Sequence, residues 1–429
     1  MNLRSRCLNA LLPFLSLHKM KIVIVGGGIG GLTTALSLHQ KGFHDIHVYE
    51  SANEIKPLGV GINLLPHAVR ILTGLSLEEK ISKLGVATSE LAYYNKFGQK
   101  IWSEPRGKFA GYHWSQYSVH RGLFQLLLYA ATKEAIGENN LHTGHKFLSF
   151  DAGKNEALFL QRNSNKEVKA GYDVLIGADG IHSAVRNQLY TSEGEPRFSG
   201  NVLHRAITKA KPFLSHSSMI MAGSPKQKFV AYPISTDVDE NGNQTINWIA
   251  DLPSVDGLKE RDWNRKSDKQ KILAAYGHWK FDWLDISSLI EGAENIYEFP
   301  MSDRDPLPRW SFDNVTLLGD AAHPMYPIGS NGGSQAILDA EIIANELASS
   351  NSIAKALTRY EEERLPATAR IVLQNRQMGP EQVMQIVEDR APNGFDNLDD
   401  VISKQELEDI ANQYKRIAGF EKDSLNKKR

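Results

Sequence analysis

The sequence predicts an α/β fold: a parallel sheet, interrupted by a mostly antiparallel β insertion and followed by C-terminal helices. Three observations predict it. A strand, a glycine-rich turn, a helix and a second strand fill residues 21–50. Two further apolar strands, at 174–176 and 315–318, each run into a turn containing glycine and aspartate and then a helix. Between them, residues 197–300 carry strand-like runs and a hairpin-type turn in place of strand–helix alternation.

Residues 21–50 read KIVIVGGGIGGLTTALSLHQKGFHDIHVYE. Ile22, Val23, Ile24 and Val25 form a β-branched run without a polar break, which suits a strand buried on both faces of a parallel sheet. Gly26, Gly28 and Gly31 then fit G-x-G-x-x-G, with Ile29 and Gly30 inside the same turn. Such glycines give a tight turn, close backbone approach to a pyrophosphate, and close helix–strand packing. A helix ends at Gly42, and a strand at 46–49 ends in Glu50, 19 residues after Gly31. An acid at that spacing is expected to accept from a ribose hydroxyl, and the helix N-terminus supplies N–H groups for phosphate. The unit specifies a dinucleotide and leaves open whether it is FAD or NAD.

Further along, residues 54–66 read as a glycine-punctuated loop and Pro66 as the start of a helix. Strands are expected at 91–95, 100–104 and 117–120, and a helix at 123–135. A meander is expected at 145–150, 157–161 and 167–169. The insertion holds KFVAYPI, TINWIA, a turn at Glu240-Asn241-Gly242-Asn243, and a Trp-rich helical part with Trp263, Trp279 and Trp283. After the strand at 315–318, Ala336, Ile337, Ala340, Ala344 and Leu347 share one side of a helix. Residues 353–378 and 403–418 also read as helices. Ser403 and Glu406 make a capping box for the last, and Leu407, Ile410, Tyr414 and Ile417 make an apolar docking stripe. The division that follows is an extension at 1–19, a nucleotide-binding domain at 20–196 and 301–380, an inserted substrate domain at 197–300, and a helical segment at 381–429.

The chain has 429 residues, 49 Lys+Arg against 50 Asp+Glu, and a net charge of −1, so no basic excess points to nucleic acid. Its single cysteine, Cys7, excludes a disulfide framework, a thiolate metal cluster and a C-x-x-C redox pair, and no metal is expected. No apolar run reaches the roughly 18 residues of a spanning helix. The first nineteen residues carry Arg4, Arg6 and Lys19 and no acid. They are read as the product of an upstream start codon or as a disordered extension, in preference to a targeting peptide or a weak membrane-surface segment, and the expected location is cytoplasmic.

Three motifs in order carry a resemblance: VGGGIGG at 25–31, IGADGIHSAVR at 176–186 and LLGDAAHPMYPIGSNGGSQAILDA at 317–340. Together they resemble the class A flavoprotein aromatic hydroxylases, the para-hydroxybenzoate and salicylate hydroxylase family, over most of residues 20–375. KPLGVGIN (56–63), WSEPRG (102–107), YSVHRG (117–122) and DRDPLP (303–308) are most similar to its phenazine-hydroxylating members. His204-Arg205 stands where that pattern has Trp-Arg.

The resemblance implies a Rossmann-like FAD-binding domain and assigns cofactor roles within it. Asp320 is expected on the ribityl chain, and Gly329, Gly332 and Gly333 in the loop reaching the N1–C2=O side of the isoalloxazine ring. Asp179 is expected near both FAD and a transient NADH or NADPH, or else in an ordinary turn. Arg121 is expected near the pyrophosphate, which a guanidinium suits by bidentate contact. Gln125 is a weaker candidate, and Val60 and Gly61 either line the flavin by backbone or form a plain turn. His182 and His323 are read as structural. Met221, Tyr232, Trp248, Met301 and Tyr326 are substrate-pocket candidates, and the core is the favoured place for each.

With one G-x-G-x-x-G unit and no cysteine pair, NAD(P)H must dock transiently and electrons must pass to O2. The reaction implied by the resemblance is reduction by NADH or NADPH, formation of a flavin C4a-hydroperoxide, and oxygen transfer to a small aromatic or heteroaromatic ring. The protein is expected to work as a monomer or homodimer. A flavin oxidase or dehydrogenase without oxygen insertion is the alternative. A flavin- or membrane-associated carrier or sensor is a third reading, suggested only by the N-terminal extension.

Overall fold

The four motif-bearing strands end at one edge of a single parallel sheet. In the computed structural model, which describes residues 19–254 and 266–428, the sheet runs Val315–Leu317, Val174–Gly177, Ile22–Val25, Ile46–Tyr49, Leu141–His142. Every neighbouring pair in it is parallel. Ile22–Val25 is buried throughout, as an uninterrupted β-branched run in a central parallel strand should be. The ladder continues past the strand ends, with Gly26 N donating to Tyr49 O at 2.8 Å and Leu318 N to Gly177 O at 2.9 Å. Glycine turn, Asp179, Glu50 and Asp320 are therefore carried to the carboxyl edge, where open α/β sheets bind ligands.

The helix Ile29–Gln40 lies on this sheet and packs on the helix Gly332–Ser349, which follows the turn at Gly319–Ala321 and also meets the strand that contains Gly61. The expected loop at 54–66 contains a strand, Gly61–Leu64, which pairs with Tyr117–His120 and so fixes Val60 and Gly61 beside Arg121. The helix Glu78–Leu84 has only Ile81 buried and no apolar stripe, which is why the sequence does not announce it.

The second sheet has seven strands, in the order Tyr297–Asp303, Arg197–Ala210, Gln244–Pro253, Gln227–Val238, Ser218–Ser224, Glu90–Tyr94, Lys100–Pro105. The last two strands come from the stretch assigned above to the nucleotide-binding domain. Ser218–Ser224 accepts Glu90–Tyr94 in parallel, while the other pairs are antiparallel. Alternation sorts the two faces. Ala206, Phe229, Ala231, Trp248 and Ala250 pack with Tyr276, Trp279 and Leu289 from the helical part of the insertion. Met219, Met221, Val230 and Tyr232 face the other way, toward Val383, Met384 and Leu407 of the C-terminal segment.

That segment contains Gln382–Arg390 and Lys404–Ile417. Ser403 caps the latter by accepting from Glu406 N at 3.2 Å, but the Glu406 carboxylate pairs with Arg390. Only half of the expected capping box forms. Residues 1–18, including Cys7, and Trp263 lie outside the described residues. No helix among the described residues is long and apolar enough to cross a membrane.

Candidate active site

The glycine turn is locked by backbone proximity and by two distant side chains. A Cβ on Gly31 would stand 2.0 Å from Gly26 O. Glu50 Oε2 accepts from Gly27 N at 2.7 Å, and Gln125 Nε2 donates to Gly27 O at 2.8 Å. Glu50 Oε1 accepts from Ala52 N at 2.7 Å. Ile29 begins the helix and is buried, and a Cβ on Gly30 would meet Leu318 at 2.9 Å. The turn thus abuts the strand end that leads to Asp320.

Asp179 Oδ2 accepts from Ala184 N at 2.7 Å and from Val185 N at 3.3 Å, starting the helix Ala184–Leu189. Its Oδ1 is buried with no hydrogen-bond partner, and burial pushes the carboxyl above its ordinary value. Arg186, three residues past its Ser183 cap, is fully buried. It donates to Ala321 O at 3.0 Å and Ala322 O at 2.9 Å, tying the second motif to the third.

Asp320 opens into a cavity while protein surrounds it on most sides; this crowding pushes its carboxyl up, against the pull of His323 and Arg121. Arg121 opens into the same cavity, with Arg121 N donating to Val60 O at 2.9 Å, and the protein crowded around its guanidinium pulls its pKa down, opposed by Asp320. The cavity measures about 250 Å³. It joins Gly61, Arg121, Asp320, Gly332 and Gly333 to Met219, Met221, Val230, Tyr232 and Ile249 of the seven-stranded sheet.

Gly61 N donates to Asn247 Oδ1 at 2.6 Å, and Gly61 O accepts from Arg205 Nη2 at 2.7 Å. Asn247 and Arg205 were invisible as partners in the sequence, because they lie 186 and 144 residues away. Of the substrate candidates, Met221 and Tyr232 line the cavity. Trp248 does not: it lies on the opposite face of its strand, and its Nε1 donates to Thr208 Oγ1 at 3.0 Å. One residue of register separates it from Asn247 and Ile249 on the cavity side. Met301 and Tyr326 are not among the residues lining the cavity; they pack directly behind it, in a small cluster with Ile328 and with Leu203, which does line it. His323 turns into the core, its Nε2 2.6 Å from Asp339 Oδ2.

Gly329 does not face open space. It has φ +69°, and a Cβ there would stand 2.1 Å from the Tyr414 hydroxyl. Tyr414 comes from the helix Lys404–Ile417. Its Oη accepts from Asn331 Nδ2 at 2.9 Å and lies 3.0 Å from Asn375 Oδ1 and 3.2 Å from Ile328 O. The apolar stripe thus docks directly under the glycine loop. Tyr414→Phe would leave these buried groups without their shared partner, at a cost of about 1–3 kcal/mol. We expect a lower thermal midpoint and several-fold weaker FAD binding, measured by fluorescence titration of the apoprotein.

The residues present fit FAD. Chain neighbours aside, no atom lies within 4 Å of a Cβ built on Gly28, so the helix N-terminus has room for a phosphate group; Asp179, whose Cα comes within 3.1 Å of a Cβ built on Gly26, borders the same glycine turn. Residues 19–375 match the family model described as FAD binding domain. The chain belongs to this FAD-binding family. A relative in it is phenazine 1,6-dicarboxylic acid hydroxylase PhzS of Lysobacter antibioticus, 44% identical over 83% of this chain and 89% of the relative. Another is 3-amino-4-hydroxybenzoate 2-monooxygenase of Streptomyces platensis, 30% identical over 90% of this chain and 96% of the relative. The fold is similar to the crystal structure of Klebsiella pneumoniae HpxO complexed with FAD and uric acid, at TM-score 0.72 and 21% identity, covering 95% of this chain and 96% of that one. Like its relatives, this family member is an FAD-dependent monooxygenase, and the oxidase or dehydrogenase alternative is set aside.

Proposed function

We propose that this monooxygenase hydroxylates a carboxylated, fused heteroaromatic ring of the phenazine type. One observation carries the reading: the loop around Asp320 and Gly333 shares a single cavity with an apolar wall of Met219, Met221, Val230 and Ile249. Flat apolar walls suit a planar ring system, and the two relatives named above act on a phenazine dicarboxylic acid and an aminohydroxybenzoate.

The oxygen-transfer chemistry is what bound FAD supplies, with NADH or NADPH as reductant and O2 as oxidant. Gly28 and the start of Ile29–Gln40 would hold the pyrophosphate, with Arg121 beside it. Glu50 would face the adenosine ribose, and Asp320 the ribityl chain. The N-terminus of Gly332–Ser349 presents backbone N–H groups and a partial positive charge to the cavity, and would stabilise negative charge on the ring of a bound FAD. Tyr232 and Asn247, packed over Gly61, fix the substrate sheet against the cofactor side. The apolar wall excludes water from the reacting ring. The reading places the enzyme in the cytoplasm, working alone or as a homodimer on a free small molecule.

Purified holoenzyme supplied with NADH or NADPH and a panel of phenazine carboxylates should consume the nicotinamide faster than without substrate. Isotopically labelled O2 should deliver one labelled atom to the product. Hydrogen peroxide in place of labelled product, for every aromatic tried, would defeat the hydroxylase.

A further inference from the structure

The cavity wall ends in a charge that none of the roles above uses. Along Gln227–Val238, Lys228, Val230 and Tyr232 alternate onto one face, so they line the cavity in file. Tyr232 sits at the Gly61 end, beside the cofactor loops. Lys228 lies four residues on, about 13 Å away at strand rise. Its side chain is only 8% exposed, and its Nζ stands 2.6 Å from Glu381 Oε2 and 3.6 Å from Asp251 Oδ2. Asp251 is opposite Lys228 in the sheet register. Glu381 is not part of the sheet. It comes from the C-terminal segment, beyond residue 375 where the family match ends.

We propose that Lys228 is the carboxylate anchor of the substrate cavity, and that Glu381 is a built-in carboxylate that occupies it until an aromatic acid arrives. This rests on the substrate class proposed above. Four observations carry it. Lys228 and Glu381 both line the cavity, so the ion pair borders the space a ligand would fill. An ammonium has three donors; Glu381 takes one at 2.6 Å, while Asp251, at 3.6 Å, is a charge neighbour beyond hydrogen-bond distance, so donors remain for a ligand carboxylate. Asp251 lies outside the cavity lining and stays with Lys228 whichever carboxylate faces it, and the two acids hold the ammonium pKa above its ordinary value in spite of burial. Glu381 follows Met378 and Gly379, whose φ values are +70° and +48°. A non-glycine residue in that region marks a sharp, strained turn, placed where Glu381 would have to swing away.

The exchange of one carboxylate for another is what makes a buried lysine usable here. Creating a new buried ion pair carries a large desolvation cost. Replacing Glu381 by a ligand carboxylate keeps the charge count around Lys228 unchanged, while Glu381 is released toward solvent.

The test uses FAD-loaded enzyme and paired probes: phenazine-1-carboxylate with its carboxamide, and 3-hydroxybenzoate with its carboxamide. Dissociation constants are read from the change in flavin absorbance. Wild type should favour each acid over its amide by about tenfold. Lys228→Met should bring that ratio close to one, whereas Glu381→Gln should raise it several-fold, because the competitor is gone. A purely structural ion pair predicts something else: both variants would weaken acid and amide alike, and the ratio would not move. That result overturns the proposal, as does a Glu381→Gln variant with a lowered ratio. If Lys228→Met fails to retain FAD, the double variant Lys228→Met/Glu381→Gln removes both charges together and must likewise lose the preference. Absence of wild-type binding to every acid would sink the substrate class and the anchor with it. Binding with an unaltered ratio in the variants sinks the anchor alone.

Discussion

Gly31→Ala is expected to yield a folded protein that no longer retains FAD. The new methyl would stand 2.0 Å from Gly26 O and 3.3 Å from Ile24 Cγ2, so the turn must move away from the helix. Overpacking of this kind costs about 1–3 kcal/mol, and the displaced atoms are backbone, which cannot rotate aside. The displacement falls on the turn that Glu50 and Gln125 hold from both sides. FAD affinity should fall by a hundredfold or more, the equivalent of about 3 kcal/mol. Purification should yield colourless protein, and equilibrium dialysis against FAD gives the number. A variant that purifies fully yellow contradicts the placement of the dinucleotide.

Asp339→Asn is expected to be the most destabilising single substitution in the described core. Asp339 is wholly buried and accepts from Arg364 Nε at 2.6 Å and from Gly319 N at 3.0 Å, with His323 Nε2 2.6 Å away. Burial alone would raise its pKa, but His323 and Arg364 hold it down at about 2. Removing the charge strands a buried guanidinium, which typically costs about 3–5 kcal/mol. Urea denaturation at neutral pH should show that loss. The pH dependence has a defined sign. A carboxyl depressed in the folded state stabilises at pH above its ordinary value near 3.8, and the benefit fades as pH falls toward 2. Wild type should lose of order 2 kcal/mol through this group across that window, and the variant should lack that part of the slope. Because Asp339 also holds Gly319, the variant should bind FAD less well.

What the sequence made legible here was local. The run IVIV, the glycines after it and Glu50 lie within thirty residues, so their pattern could be read without knowing what lies across the sheet. The strand ends at 177–179 and 317–320 follow the same logic. The partners of those motifs were not legible. Arg186 reaches Ala321 across 135 residues and Tyr414 reaches Asn331 across 83, and nothing in either neighbourhood encodes the meeting. Trp248 shows a different failure. TINWIA marks a strand, but which alternate residues face the cavity depends on pairing with Gln227–Val238 and Arg197–Ala210. The docking stripe of Lys404–Ile417 was visible as periodicity, while its target, the loop around Gly329, was not.

The parallel pairing of Ser218–Ser224 with Glu90–Tyr94 has a consequence for hybrid enzymes. The seven-stranded sheet is assembled from two separate stretches of chain, so residues 197–300 cannot be exchanged as a cassette. A graft from a relative would arrive with its own outer edge and meet the recipient's strands at Glu90–Tyr94 and Lys100–Pro105. Five aligned residue pairs at that seam, from Ser218 opposite Glu90 to Ala222 opposite Tyr94, would have to match. Chimeras that carry both stretches together should fold where single-segment swaps precipitate.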